Sequence, residues 1–251
     1  MKYLIVVILL CVLFLLIRKK SDVIVEPLMP NAVVTDIVDI DTHVQDIIEQ
    51  VNLKNDKVKS LSYNATVHLD NMSFDAEIHY KKDKMFRMLA FGFFGTCLDI
   101  GSNDSIFWFW SKNFDSNTLY WARHEDFPKT KLQTPYGPLW MMQSLGYDKI
   151  TGDKCGENDQ YLKVFRDDVI NNNRKVIKAV LIDKKELKVV GNYIYSTDGR
   201  LLVSSEWHEN ILHIYWKEMN QKLIIVLEKP INPTKEFNPP YKPHKVNMAN
   251  M

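Results

Sequence analysis

The sequence predicts a mainly β chain built on a curved antiparallel sheet with an apolar concave side. Three observations predict it. Apolar and polar residues alternate through Met85-Phe86-Arg87-Met88-Leu89 and again around Cys97-Leu98-Asp99-Ile100, the period of a strand with one wet face. Ser105-Ile106-Phe107-Trp108-Phe109-Trp110 breaks that alternation by being aromatic on both faces. One face then goes against a core and the other lines a second greasy space. Turn chemistry recurs between the apolar runs, at Asp70-Asn71-Met72-Ser73, at Gly101 to Asp104 and at Ser196-Thr197-Asp198-Gly199-Arg200, as hairpins require.

The elements follow in order. Tyr3 to Ile17 is an uncharged apolar run, preceded by Lys2 and followed by Arg18-Lys19-Lys20, so residues 1–20 form a membrane-targeting segment. Its length lies between a signal-peptide core and a comfortable span of about 20 residues. Three readings stand open: an uncleaved anchor with its flanking cations at the interfaces, a lipoprotein signal with Cys11 lipidated, and a cleaved secretory signal. Leu10 stands where a lipobox has a small residue, and no small-x-small site follows the run. The basic cluster after the span would place the body in the cytoplasm by the positive-inside rule.

Residues 21–40 carry Pro27 and Pro30 without sustained periodicity and read as a tether. Asp41 or Thr42 caps a helix whose stripe is Val44, Ile47, Ile48 and Val51, ending near Asn55. Strands are expected at 58–69, 74–80, 85–91, 96–101, 105–110 and 118–122. Residues 127–138 are Pro-rich and irregular, and Leu139 to Leu145, closed by Gly146, reads as a short helix. Further strands are expected at 160–166, 175–183, 187–195, 201–208, 211–216 and 223–227. Residues 41–229 thus form one β domain, and residues 230–251, with Pro230, Pro233, Pro239, Pro240 and Pro243, an extended tail.

Composition narrows function. The 251 residues are 46% hydrophobic with a net charge of +1, enough for a large core and without the basic face of a nucleic-acid binder. Cys97 and Cys155 could pair in an oxidising compartment or remain thiols. No CxxC, Cys/His cluster, HExxH, GxSxG, Walker loop or GxGxxG is present. No metal, no cofactor and no catalytic residue is therefore expected. Gly92-Phe93-Phe94-Gly95 is the most specific local feature, because two large aromatics occupy a predicted turn where polar residues belong. Either they serve a membrane or they fold back onto the core.

A resemblance rests on order and spacing across this region. Phe86-Arg87 enters a strand, Gly92-Phe93-Phe94-Gly95 forms a turn, and Leu98-Asp99-Ile100-Gly101-Ser102-Asn103-Asp104 follows. Phe107-Trp108-Phe109-Trp110, Leu119-Tyr120 and Pro138-Leu139-Trp140 through Leu145-Gly146 complete it. The chain resembles the LolA/LolB-like lipoprotein-carrier superfamily, best over residues 40 to 150. The resemblance implies a curved antiparallel open β-barrel (half-barrel) of about eleven strands with covering helices. It implies a non-enzymatic carrier whose cargo is lipid or an acylated lipoprotein, membrane-anchored in the bacterial cell envelope with its soluble domain on the periplasmic side. Phe86, Met88, Phe107, Trp108, Phe109 and Trp110 would line the lipid cavity, and Trp140, Met141 and Met142 would close it as a lid. Phe94 matches the protruding apolar residue that LolB-like proteins carry before a Gly, and Phe93 stands where they have Pro. The alternative is an envelope assembly scaffold with the same fold, whose greasy stretch faces a protein partner; a hydrolase is a third, weaker alternative.

Overall fold

The computed structural model describes residues 36–69, 72–82, 85–112, 116–130, 138–170, 174–232 and 237–250. The apolar segment with Cys11 and most of the tether lie outside the described residues. Among those described, no helix is long and apolar enough to cross a membrane.

The fold is mainly β. The strands are β1 (Val38–Asp39), β2 (Ser60–Leu69), β3 (Met72–Lys81), β4 (Met85–Gly92), β5 (Gly95–Ser102), β6 (Ile106–Ser111) and β7 (Thr118–Arg123). After them come β8 (Lys154–Glu157), β9 (Tyr161–Ile170), β10 (Arg174–Asp183), β11 (Lys188–Ser196), β12 (Leu201–His208), β13 (Ile211–Trp216), β14 (Gln221–Pro230) and β15 (His244–Asn247). The helices are α1 (Thr42–Lys57) and α2 (Pro138–Gln143). The hydrogen-bonded order is β1-β8-β9-β10-β11-β12-β13-β14-β2-β3-β4-β5-β6-β7-β15. It is linear and open, with fifteen strands where the resemblance implies about eleven and the sequence pattern marks twelve. The three unforeseen strands, β1, β8 and β15, are two to four residues long. Alternation needs more residues than that to show, and their neighbours supply the pairing. Cys97 and Cys155 are free thiols.

The described chain divides into two compact units, one of residues 36–59 and 140–224, the other of 60–139 and 225–250. In the first, the Asp41 carboxylate accepts the Val44 N–H at 2.8 Å and starts α1. Val44, Ile47, Ile48 and Val51 form the buried stripe and pack on Leu162, Val164, Ile182 and Val189. Each such fully buried side chain stabilises the fold by about 1.5–3 kcal/mol. The β9–β10–β11 register explains which strand residues meet α1. Leu162 faces Ile182, which faces Val189, while Val164 faces Val180, which faces Asn192. These ranks share one sheet face, and the next rank on it is Arg166, Lys178 and Ile194.

In the second unit β2 to β7 form an antiparallel meander. Its register sorts the side chains strictly by face. Tyr80, Phe86, Ser102, Phe107 and Ala122 form one rank, and Ile78, Met88, Ile100, Phe109 and Tyr120 the next. Between them, on the opposite face, lie His79, Arg87, Gly101, Trp108 and Trp121. The chain after β14 runs back over this meander. The Phe237 carbonyl accepts the Asn103 side-chain N–H at 3.1 Å, and Lys242 Nζ stands 3.6 Å from the Trp110 ring centre. β15 then pairs with β7 in parallel. Met248, beyond it, packs with Phe107, Ala122 and Phe127.

Candidate functional site: an aromatic hairpin tip and a charged cleft

The two-residue turn between β4 and β5 presents Phe93 and Phe94. Gly92 pairs with Gly95 across the ladder, which leaves only the two phenylalanines to turn the chain. Gly95 adopts φ +91°, a conformation open to glycine at no steric cost. Phe93 is 97% exposed and Phe94 84%, so neither ring folds back onto the core. The rings meet edge to face at 5.2 Å. Lys112 donates to the Phe94 carbonyl at 3.4 Å, and its ammonium lies 5.8 Å from the Phe94 ring centre. Paired aromatic rings held in water by a tight turn cost free energy unless something apolar receives them.

The nine residues expected around a cavity do not all meet. Phe86, Met88, Phe107 and Phe109 share one face of the meander, and Trp108 and Trp110 point from the other. All six are buried. Phe107 packs on Phe127 at 5.3 Å and Phe109 on Tyr120 at 6.5 Å. Trp108 lies flat over Gly101, where a Cβ would come within 2.1 Å of the indole. Its Nε1–H donates to Asp99 Oδ1 at 2.9 Å, and Arg87 donates to the same carboxylate at 3.2 and 2.7 Å. Trp110 donates to the Ser116 carbonyl. The aromatics thus lie buried on both faces of β6, with the hydrogen-bonded tryptophans on the side that also carries Arg87 and Asp99.

Trp140, Met141 and Met142 belong to α2. Trp140 and Met142 are buried and Met141 half-buried. Trp140 stacks obliquely on Trp216 at 6.4 Å and walls a cleft of about 90 Å³ in the first unit. Ile150, Val164, Val180, Val189 and Ile194 make the apolar part of that cleft; Lys149, Thr151, Arg166, Lys178 and Asn192 bring polar groups to it. Two asparagines of α1 fix the loop beside it. Asn52 exchanges hydrogen bonds with the Ile150 backbone at 3.0 and 2.7 Å. Asn55 donates to the Gly146 and Asp148 carbonyls at 3.2 Å. Sequence reasoning missed Arg166, Lys178 and Asn192. Their only signal is that charged and amide residues fall on the strand positions that otherwise carry Val164, Val180 and Val189.

A second charged group sits on the opposite face of β9. Lys163, 8% exposed, donates to the Tyr195 hydroxyl at 2.8 Å and stands 4.3 Å from the Tyr193 ring centre. Burial, partly offset by the Glu206 charge, lowers its pKa to about 8. Burial also raises the Glu206 carboxyl and pushes the Tyr195 phenol up to about 12.

No family model matches the sequence, and no curated protein matches it. Three of the solved structures to which the chain is similar are as follows. One is the LolA superfamily protein NE2245 from Nitrosomonas europaea, at 9% identity and a TM-score of 0.48, covering 76% of this chain and 94% of that one. Another is an outer membrane lipoprotein-sorting protein domain from Vibrio parahaemolyticus, at 10% identity and a TM-score of 0.45, covering 77% and 95%. A third is a DUF1329 family protein from Desulfovibrio piger, at 9% identity and a TM-score of 0.43, covering 77% and 94%.

Proposed function

We propose that this chain binds and transfers acyl chains, of a lipoprotein or another lipid, at a bacterial cell envelope, and breaks no covalent bond in doing so. The observation that carries the proposal is the exposed Phe93-Phe94 tip. Two rings on a tight hairpin form a small wedge that enters the boundary between headgroups and acyl chains, where apolar side chains such as Phe are buried. Lys112 beside Phe94 is long enough to stay at headgroup level while the rings go deeper. The apolar walls around Trp140 supply a place for a methylene segment, each buried CH₂ contributing about 0.8 kcal/mol. The buried side chains of Phe86, Met88, Phe107 and Phe109 form the apolar face that we assign to the cargo, with Trp108 and Trp110 on the other face of the same strands. The apolar N-terminal segment holds the protein at the membrane, with the β domain on the periplasmic side.

The test is transfer of a fluorescent acyl lipid between donor and acceptor vesicles by the full chain, wild type against Phe93→Ser/Phe94→Ser. Transfer should fall at least tenfold while the melting temperature stays within about 2 °C, because fully exposed rings contribute little to stability. Unchanged transfer by the double variant sinks the tip's role. No transfer by the wild type moves the reading to an assembly scaffold, whose greasy surface serves a protein partner.

A further inference from the structure

The cleft at Trp140 has a floor and a rim of different chemistry, and the rim has a sign. Val164, Val180 and Val189 lie along one sheet face, and one rank further along that same face Arg166 pairs directly with Lys178. Both cations line the cleft. They share one carboxylate: Asp168 accepts from Arg166 at 3.0 Å and from Lys178 at 2.8 Å. Asp168 is itself held by the Val169 N–H at 2.7 Å, and Arg166 is braced by the Thr151 hydroxyl at 2.6 Å. One carboxylate against two cations leaves a positive charge at the rim. Lys149 and Asp148, which also line the cleft, cancel one another. The Asp168 carboxylate also lowers the cost of holding two cations side by side and fixes where their remaining N–H groups point. Arg166 and Lys178 together carry eight N–H donors, and the contacts just named use three of them.

We infer that this cleft takes an amphiphile with an anionic end: a carboxylate or phosphate at Arg166 and Lys178, with the adjoining methylenes over the valine floor. The inference rests on the acyl-binding reading above and narrows its cargo to acidic amphiphiles. The volume of about 90 Å³ holds roughly three water-sized groups, so the cleft receives the head and first carbons and not a whole chain. A guanidinium beside an ammonium suits an oxyanion because charge-assisted N–H···O bonds are about twice as strong as neutral ones. A neutral alcohol of the same length gains the floor and not the rim. An alkylammonium meets repulsion.

The probes are butyrate, 1-butanol and butylammonium, short enough to fill the cleft and to partition little into lipid. Saturation-transfer NMR would be run on the full chain in nanodiscs, with empty nanodiscs subtracted. Butyrate should bind at least tenfold tighter than 1-butanol, and butylammonium should not bind. Lys178→Gln should remove the preference for butyrate and leave 1-butanol unchanged, while Lys178→Arg keeps the preference. Equal binding of butyrate and butanol, or none of either, overturns the inference. Vesicle transfer of a neutral lipid, measured on the same preparation, tells which reading has failed. Transfer that persists without a butyrate preference removes only the anionic end, and loss of both removes the carrier as well.

Discussion

At the scale of single residues, the most constrained spot is the Asp99 carboxylate. It is 2% exposed and accepts from both Arg87 and Trp108. Removing one partner of a buried pair costs about 3–5 kcal/mol, because the other charge is left in a low-dielectric site. Asp99→Ala should therefore lose stability of that order in urea unfolding and raise the exposure of Trp108 as read by fluorescence. Lys163 makes a pH prediction. Its pKa falls from 10.5 to about 8 on folding. Between those values the unfolded chain binds the proton and the folded chain does not, so stability rises with pH through that window. Below about 8 both states are protonated and the contribution is flat. Wild type minus Lys163→Met should show this rise between pH 8 and 10.5 in denaturant titrations; a flat difference would mean the ammonium is not desolvated.

At the scale of elements, α1 was legible along its face and, with Asp41 or Thr42 as the cap, to within one residue at its start. An acidic side chain before a 3.6-residue apolar stripe carries both the cap and the packing. Asp41→Ala should cost about 1 kcal/mol, the usual worth of an N-cap, read as a shift in the urea midpoint. The long strands were equally legible because eight to ten residues leave room for period-two alternation, as at Met85 to Leu89 within β4. The short strands β1, β8 and β15 were not. Nothing in His244-Lys245-Val246-Asn247 says that it will pair in parallel with β7; only a neighbouring edge decides that. The tip was legible in part. Gly92 and Gly95 gave the turn, while the direction of two rings that either fold back or stand out is set by what the core has room for. The cleft was the least legible element, because Arg166 and Lys178 are twelve residues apart in sequence and meet only through the β9–β10 register.

At the scale of the whole molecule, each of the two compact units carries one of the proposed working parts. The meander of β2 to β7 bears the aromatic tip, and the α1-covered sheet bears the cleft. No cluster of metal-ligating side chains is found among the described residues. In the proposed carrier, binding energy would come from methylene burial and from one net positive charge, both sequence-tolerant kinds of recognition. The near-neutral total charge of +1 gives no long-range attraction to anionic membranes, so the proposal makes the tip and the N-terminal apolar segment the source of membrane affinity. The most direct measurement is photo-crosslinking of the full chain in vesicles with a phospholipid carrying a diazirine in its acyl chain, followed by peptide mass spectrometry. The expected result is label in residues 85–112 and 138–151, with Phe93 and Phe94 among the labelled sites. Label confined to residues 3–17 would contradict acyl-chain binding by the β domain.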